Sequence, residues 1–259
     1  MVSPPRWKVL LDSALSKNPN STIFQLATLQ PSSPSLSPSP VIPSTHAQPR
    51  VRSHVFRSFI DALPHNRVNS RGDISFPLLV STTDIRTPKV TQLLSSPYVE
   101  LAWWIDGSDN SDSTKQQFRI SGIVSLVPSP QSEEVAAKLV LEGNKSQEWW
   151  ESKRVESFKS MSAHMKASWA KPTPGSPLSL HGGPDAPNSW PTKIEAPSEE
   201  DSEGEREKKQ EVWDRALRNF ALVVVEALEV DFVDLGVVPN RRWRFWRGGK
   251  GWEEEEVVA

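Results

Sequence analysis

Arg50-Val51-Arg52-Ser53-His54-Val55-Phe56-Arg57 is the stretch on which the reading of this chain turns. In an extended chain Val51, Ser53 and Val55 fall on one side, and Arg52, His54 and Phe56 on the other. The alternation predicts a strand over Arg50–Ile60 with a cation-bearing face. Two later stretches share its character: Ser81-Thr82-Thr83-Asp84-Ile85-Arg86-Thr87-Pro88-Lys89 and Lys115-Gln116-Gln117-Phe118-Arg119-Ile120-Ser121-Gly122. Each sets cationic or hydroxyl side chains beside apolar, strand-forming runs. A pleated scaffold fixes where such side chains point, and together they suit a phosphorylated ligand.

Outward from these stretches, a helix is expected to start at Ser3-Pro4-Pro5, with Trp7, Leu10, Leu11 and Leu15 on one face. Strands are expected at Thr22–Leu29, Phe76–Thr83, Tyr98–Ile105 and Gln116–Val127, with a short helix over Arg86–Ser95. The Asp/Ser/Asn-rich loop Asp106–Thr114 reads as a hairpin connection. Helices follow at Ser132–Leu141 and from Ser146 to Ser168, then order at Val212–Asn219 and the apolar run Phe220–Leu228. Val230–Val238, Arg241–Arg247 and Trp252–Val258 make the C-terminus β-rich. Residues 31–48, nearly all Pro and Ser, and residues 171–207, rich in Pro, Gly, Ser and acid, read as disordered insertions. The remaining residues, roughly 200 of them, suffice for one well-buried core, so a single domain over 1–259 is expected. Strands that neighbour one another in sequence favour an antiparallel barrel, mainly β with flanking helices, over a doubly wound parallel sheet.

A net charge of −2 offers no global attraction to nucleic acid or anionic lipid, so phosphate recognition has to be local. There is no cysteine, which excludes disulfides, thiolate nucleophiles and Cys-ligated metals. No apolar run has the length of a bilayer span, and Met1–Trp7 lacks a signal-peptide core; the expectation is a soluble intracellular protein, cytoplasmic, with no membrane partner. His46, His54, His65, His164 and His181 form no metal-ligand spacing, so no metal is expected. Arg247-Gly248-Gly249-Lys250-Gly251 lacks the Gly spacing and the hydroxyl of a phosphate loop and reads as a hairpin turn. No Gly-x-Ser-x-Gly elbow supports a hydrolase.

Taken in order, Pro49–Phe59, Thr83–Lys89 and Gln116–Gly122 resemble the FMN-binding split-barrel proteins of the pyridoxamine 5′-phosphate oxidase type, in particular the oxidase-like branch. Met161-Ser162, Trp169–Gly175, Val230–Leu235 and Pro239–Arg242 extend the resemblance over nearly the whole chain outside the two insertions. It implies an FMN-binding split β-barrel and a homodimer with flavin sites at the subunit interface. By position, Arg52 and Arg57 would flank the flavin and its phosphate, and Thr82 and Thr83 would donate to the ribityl-phosphate. Lys89 would add a cation at a helix start, and Gln117 would bond the isoalloxazine edge from the partner subunit. The family's C-terminal R-x-H substrate pair is absent, but Arg242-Trp243-Arg244 stands near its place, and Arg242 is assigned to substrate and Arg244 to the cofactor. Pro88 replaces a frequent Arg, Val233 stands near a cofactor-packing Trp, and the family's substrate-phosphate Tyr, Arg and Ser have no counterparts within Lys138–Lys159. The flavin site therefore transfers better than the pyridoxamine phosphate site.

The reading that follows is an FMN-binding flavoprotein which, if it is an enzyme, is an FMN-dependent oxidoreductase with no catalytic residue yet assigned. One alternative is a non-catalytic flavin- or nucleotide-binding module. The other is a single-stranded nucleic-acid binder built on Arg241–Arg247, where cations interleave with aromatics. That strand would have one buried and one basic face, which a barrel wall also shows, so nucleic acid is the weaker reading. Arg86 and Arg119 are expected in structural ion pairs, His54 as an ordinary strand histidine.

Overall fold

Helix α1 (Arg6–Lys17) begins after Pro5 and buries Trp7, Leu11 and Ala14, one face at i, i+4, i+7 spacing. The computed structural model describes residues 3–31, 46–60, 77–107, 114–132, 146–249 and 251–259. The expected helix at Ser132–Leu141, most of the 31–48 segment and the centre of the Asp106–Thr114 loop lie outside them. The chain divides into two compact units. The first takes Met1–Ser81, Gln92–Ser125 and Val224–Ala259; the second takes Thr82–Thr91 and Leu126–Val223. No helix among the described residues is long and apolar enough to cross a membrane.

The strands are β1 (Ile23–Gln30), β2 (Gln48–Val55), β3 (Ser58–Ile60) and β4 (Leu78–Asp84), then, after helix α2 (Pro88–Ser95), β5 (Tyr98–Asp106) and β6 (Lys115–Val127). Helices α3 (Gln147–Ser160), α4 (Ala163–Ala170) and α5 (Glu203–Asn219) precede β7 (Phe220–Asp234), β8 (Arg241–Gly248) and β9 (Gly251–Val257). The sheet order is β2-β1-β5-β6-β7-β4-β3, with β8 on β7 and β9 on β8. This is the mainly β architecture with flanking helices that the sequence predicts.

The predicted strand Arg50–Ile60 is interrupted after Val55. The break is informative, because β2 and β3 stand at opposite ends of the sheet order yet only Phe56 and Arg57 separate them. The Phe56 amide donates to Thr22 O at 2.8 Å, beside β1, and the next amide, Arg57, donates to Val80 O of β4 at 2.9 Å. One segment thus hands its pairing from β1 to β4 and closes the sheet on itself. Alternation along every wall fills the inside: Phe24 and Leu26, then Leu101, Trp103 and Ile105, then Phe118 and Ile120, are all buried. Arg50, Arg52 and His54 point to that same side of β2, where Arg50 and Arg52 are only part-buried.

Gly122 of β6 shows how tightly one wall is drawn. A Cβ there would lie 2.6 Å from the Glu226 carbonyl oxygen of β7, nearer than carbon and oxygen can sit.

In the second unit, Phe158 of α3 packs edge-on to Trp213 of α5 at 5.0 Å between ring centres, and also meets Trp169 and Phe220. Arg154, 1% exposed, ties these elements. It grips both oxygens of Glu151 at 2.7 Å and donates to the carbonyls of Leu217 and Phe220. The helix expected from Ser146 to Ser168 breaks into α3 and α4 at Met161-Ser162, where Ser162 caps α4 through Met165 N.

Residues 171–207 depart from the expected disorder. Two short 3₁₀ turns, Leu178–His181 and Ala186–Ser189, lie in them, and α5 already begins at Glu203. Ile194 is buried and its amide donates to Ala163 O, while His164 donates to Thr192 O at 2.8 Å. Ser202 and Glu205 form a capping box at the start of α5. The acidic run thus occupies a helix N-terminus, where exposed N–H groups favour negative charge, and is not merely solvated.

Gly122→Ala should lower stability by about 1–3 kcal/mol through overpacking against β7, read as a lower urea midpoint with an unchanged slope.

Candidate functional site

On the inward side of β2 the guanidiniums find only neutral acceptors. Arg50 donates to the amide oxygens of Gln30 at 2.7 Å and Gln48 at 2.8 Å. Arg52 donates from Nη1 to Thr28 Oγ1 at 2.6 Å and from Nη2 to Gln92 Oε1 at 2.7 Å. The Arg57 side chain, at the break after β2, makes no hydrogen bond with any described residue, and its Nε is fully buried. None of the three faces a carboxylate among the described residues. Elsewhere the chain behaves differently: Arg86, Arg154, Arg241, Arg242 and Arg247 all pair with an acid. Burial lowers the pKa of Arg52, helped by the charge of Arg50, and burial alone lowers that of Arg57. The charged forms are thus held at a cost that an anion would relieve.

His54 sits on the same strand but is a core residue. Its ring stacks on Phe24 at 5.8 Å, and Nδ1 lies 3.0 Å from Ser81 Oγ. The Ser81 hydroxyl donates to Val55 O, so it can only accept from His54, which places the proton on Nδ1.

In the second unit, the turn from β4 into α2 is built by Asp84. Its carboxylate accepts the Arg86 amide at 2.9 Å and grips the Arg86 guanidinium through both oxygens, at 2.9 and 2.6 Å. Arg86 continues to the carbonyls of Lys171 and Trp169, and the Trp169 indole donates to Thr83 O at 3.1 Å. Arg86 is therefore structural, as the sequence reading has it. Lys89 Nζ donates to Thr83 Oγ1 at 3.1 Å, so these two predicted residues meet; the Thr82 side chain makes no hydrogen bond with a described residue.

The outward side of the first unit's sheet carries the other predicted residues. Gln117 stands opposite Trp104, with its amide unbonded among the described residues. Arg244 lies opposite both Asp231 and Glu255 and is exposed, its side chain making no hydrogen bond or ion pair among the described residues. It lines a cleft of about 430 Å³ together with Glu100, Arg119, Glu229 and Trp246. Arg242, predicted for substrate, is instead held by Asp231 through two hydrogen bonds of 2.9 and 2.7 Å, and Arg119 pairs with the same carboxylate. Arg242 is thus committed to an ion pair. Burial opposes ionisation of Asp231, but the bonds and charges of Arg242 and Arg119 outweigh it and hold its carboxyl below the usual carboxylate range.

Sequence reasoning missed Arg50 as a partner in the site, and missed Thr28 and Gln92 entirely. Thr28 did leave a trace: it follows Phe24 and Leu26 at period two, a hydroxyl in an otherwise apolar inward series.

Residues 4–128 match the family described as pyridoxamine 5′-phosphate oxidase, FMN-binding domain. The match covers just under half of the chain and makes that stretch similar to the FMN-binding domain of this family. Among solved structures, a pyridoxamine 5′-phosphate oxidase-related, FMN binding protein from Nostoc punctiforme is 22% identical, with a TM-score of 0.63 and full coverage of both chains. PhzG from Burkholderia lata, solved with tetrahydrophenazine-1-carboxylic acid, is 15% identical, with a TM-score of 0.52, covering 100% of this chain and 94% of its own. Both likenesses carry the split-barrel fold. No curated protein matches the chain.

Because its folded pKa is depressed, Asp231 contributes stability above its unfolded pKa, about 3.9, and loses it as pH falls through the folded value. Asp231→Asn should therefore be less stable than wild type at pH 7, with the gap narrowing in acid below about pH 4. Urea midpoints measured across that range test this; a gap independent of pH counts against it.

Proposed function

We propose that this chain binds FMN through its phosphate and works as an FMN-dependent oxidoreductase of the pyridoxamine 5′-phosphate oxidase-like type. The observation that carries the reading is the set Arg50, Arg52 and Arg57, part-buried cations that face no carboxylate among the described residues, within the stretch that matches the FMN-binding family. A phosphate monoester supplies the charge and the planar oxygen pair that guanidinium forks bind. The residues present therefore fit the group.

Arg52 and Arg57 would hold the phosphate. In the second unit, the Thr83 hydroxyl and the Lys89 ammonium form a pair of their own, with Thr82 next to Thr83 in the chain. Gln117, with an unbonded amide, suits the polar edge of a flavin, and Arg244 is the exposed cation of the outward cleft. When bound, FMN supplies two-electron redox chemistry that no side chain here provides. The chain's own residues bind and orient it.

A homodimer belongs to the same proposal. Ile23, Val51, Tyr98 and Trp104 lie on the outward sheet face, Val51 64% and Trp104 45% exposed, an apolar patch suited to a second copy of this face. The nucleic-acid reading gains little: Arg241 and Arg242 of β8 are matched by Glu256 and Asp231, and Arg247 by Glu226, so the strand does not present a row of free cations.

Purified protein should be yellow and keep its flavin spectrum through gel filtration. Arg52→Ala should weaken FMN binding by roughly tenfold or more, the loss of one charge-assisted contact, and change riboflavin binding little. Equal loss of both flavins, or of neither, would count against the phosphate assignment. Turnover of pyridoxamine or pyridoxine phosphate by loaded protein selects the oxidase; clean loading without turnover selects a binding module.

A further inference from the structure

The hydrogen bonds around Arg52 form a closed triangle. Thr28 Oγ1 donates to Gln92 Oε1 at 2.6 Å, and Arg52 donates to both of those atoms, at 2.6 and 2.7 Å. Thr28 is 2% and Gln92 6% exposed, so the triangle is shielded from water on two of its three corners. The Gln92 oxygen takes two hydrogen bonds, and the Thr28 hydroxyl accepts one while donating its only proton. The guanidinium is therefore fixed in plane and rotation before any ligand arrives. It keeps the Nε hydrogen and one hydrogen on each Nη for a further acceptor.

A carboxylate at position 92 would fix Arg52 at least as well, because charge-assisted hydrogen bonds are shorter and stronger. It would also cancel the charge. The acceptors of the triangle are a hydroxyl and an amide oxygen, so it orients the guanidinium without supplying a counter-charge. Chemistry thus separates two roles that an Asp or Glu would merge: orienting a cation and neutralising it.

We infer that Gln92, with Thr28, is a positioning residue that orients Arg52 while leaving its charge available, and that the amide at this position sets selectivity for a phosphate monoester over an uncharged ligand of the same shape. The inference rests on the FMN reading above and deepens it. Gln92 itself touches no ligand in this scheme; it acts through Arg52.

The test is Gln92→Glu, which preserves shape and the acceptor oxygen and exchanges the amide NH2 for a charged oxygen. Its thermal midpoint should equal or exceed that of wild type, since an ion pair to Arg52 replaces a neutral contact. FMN should bind roughly ten- to a hundredfold more weakly, the loss of a charged phosphate contact, while riboflavin affinity stays within about threefold. Stability and affinity moving in opposite directions is the signature that a merely structural glutamine would not give. Gln92→Met, neutral but without an acceptor, loosens Arg52 without cancelling it and should lose less FMN affinity than Gln92→Glu; this comparison, made at a temperature where both are folded, also serves if the acidic variant is destabilised.

Unchanged FMN affinity in Gln92→Glu overturns the inference, as does equal loss of FMN and riboflavin, or a larger loss in Gln92→Met. If wild type itself binds no FMN, the proposed function fails separately. The same variants are then compared by the rise in thermal midpoint that inorganic phosphate induces. A rise in wild type that Gln92→Glu loses keeps the positioning role; no difference ends it.

Discussion

The segment Gln48–Ile60 has to satisfy two partners at once. Its first part pairs along β1 and its last three residues along β4, and the change of partner is made within two consecutive amides, Phe56 and Arg57. Backbone N–H groups in a closed sheet cannot be left without acceptors, so this handover determines where the wall bends and which side chains face in. Register follows from it. With Leu26 opposite Arg52 and Phe24 opposite His54, the inward face of β2 carries two arginines and a histidine where neighbouring strands carry Leu, Phe and Trp. A slip of one residue would turn those cations outward and bring Val51 and Ser53 in.

That placement gives the first unit an electrostatic asymmetry. A charge withdrawn from water is costly unless a partner replaces its hydration, and most of the ion pairs here obey that rule, from the buried Arg154–Glu151 pair to Arg242 and Arg119 sharing Asp231. The β2 cations are held by hydroxyl and amide oxygens instead. Hydrogen bonds to neutral groups satisfy direction without supplying charge, so the site keeps a positive potential that is absent where each guanidinium faces an acid. Stability given up at such a place is typical of a surface kept ready for a ligand.

The sequence made much of this legible. Period-two alternation located the strands, and the three polar stretches pointed to a local phosphate site in a chain whose net charge is close to neutral. Arg86 and Arg119 were readable as structural because acids recur at short range or on closing strands. What stayed hidden depends on contacts distant in sequence. Thr28 and Gln92 are separated by 64 positions, and nothing in either neighbourhood shows that they share one guanidinium. The handover at Phe56–Arg57 was equally invisible, since a strand that changes partners reads like one that does not. Composition misled at 171–207, where Pro, Gly and Glu stand at 3₁₀ turns and a helix cap; low hydrophobicity describes a solvated surface as well as it describes disorder.

Strand β9 has a bearing on the protein's behaviour in concentrated solution. Among the described strands it pairs with β8 alone, and an edge without a strand partner is a template on which foreign strands could stack. Four successive glutamates, Glu253 to Glu256, occupy its middle, and alternation throws two of them to each surface of the sheet. Glu254 and Glu256 on one surface are matched by Arg6 and Arg241. A second copy approaching edge to edge would therefore bring acid against acid chiefly on the other, at Glu253 and Glu255. Like-charge repulsion guards this border against fibril-like polymerisation, and it weakens where salt is high or pH low enough to protonate the row.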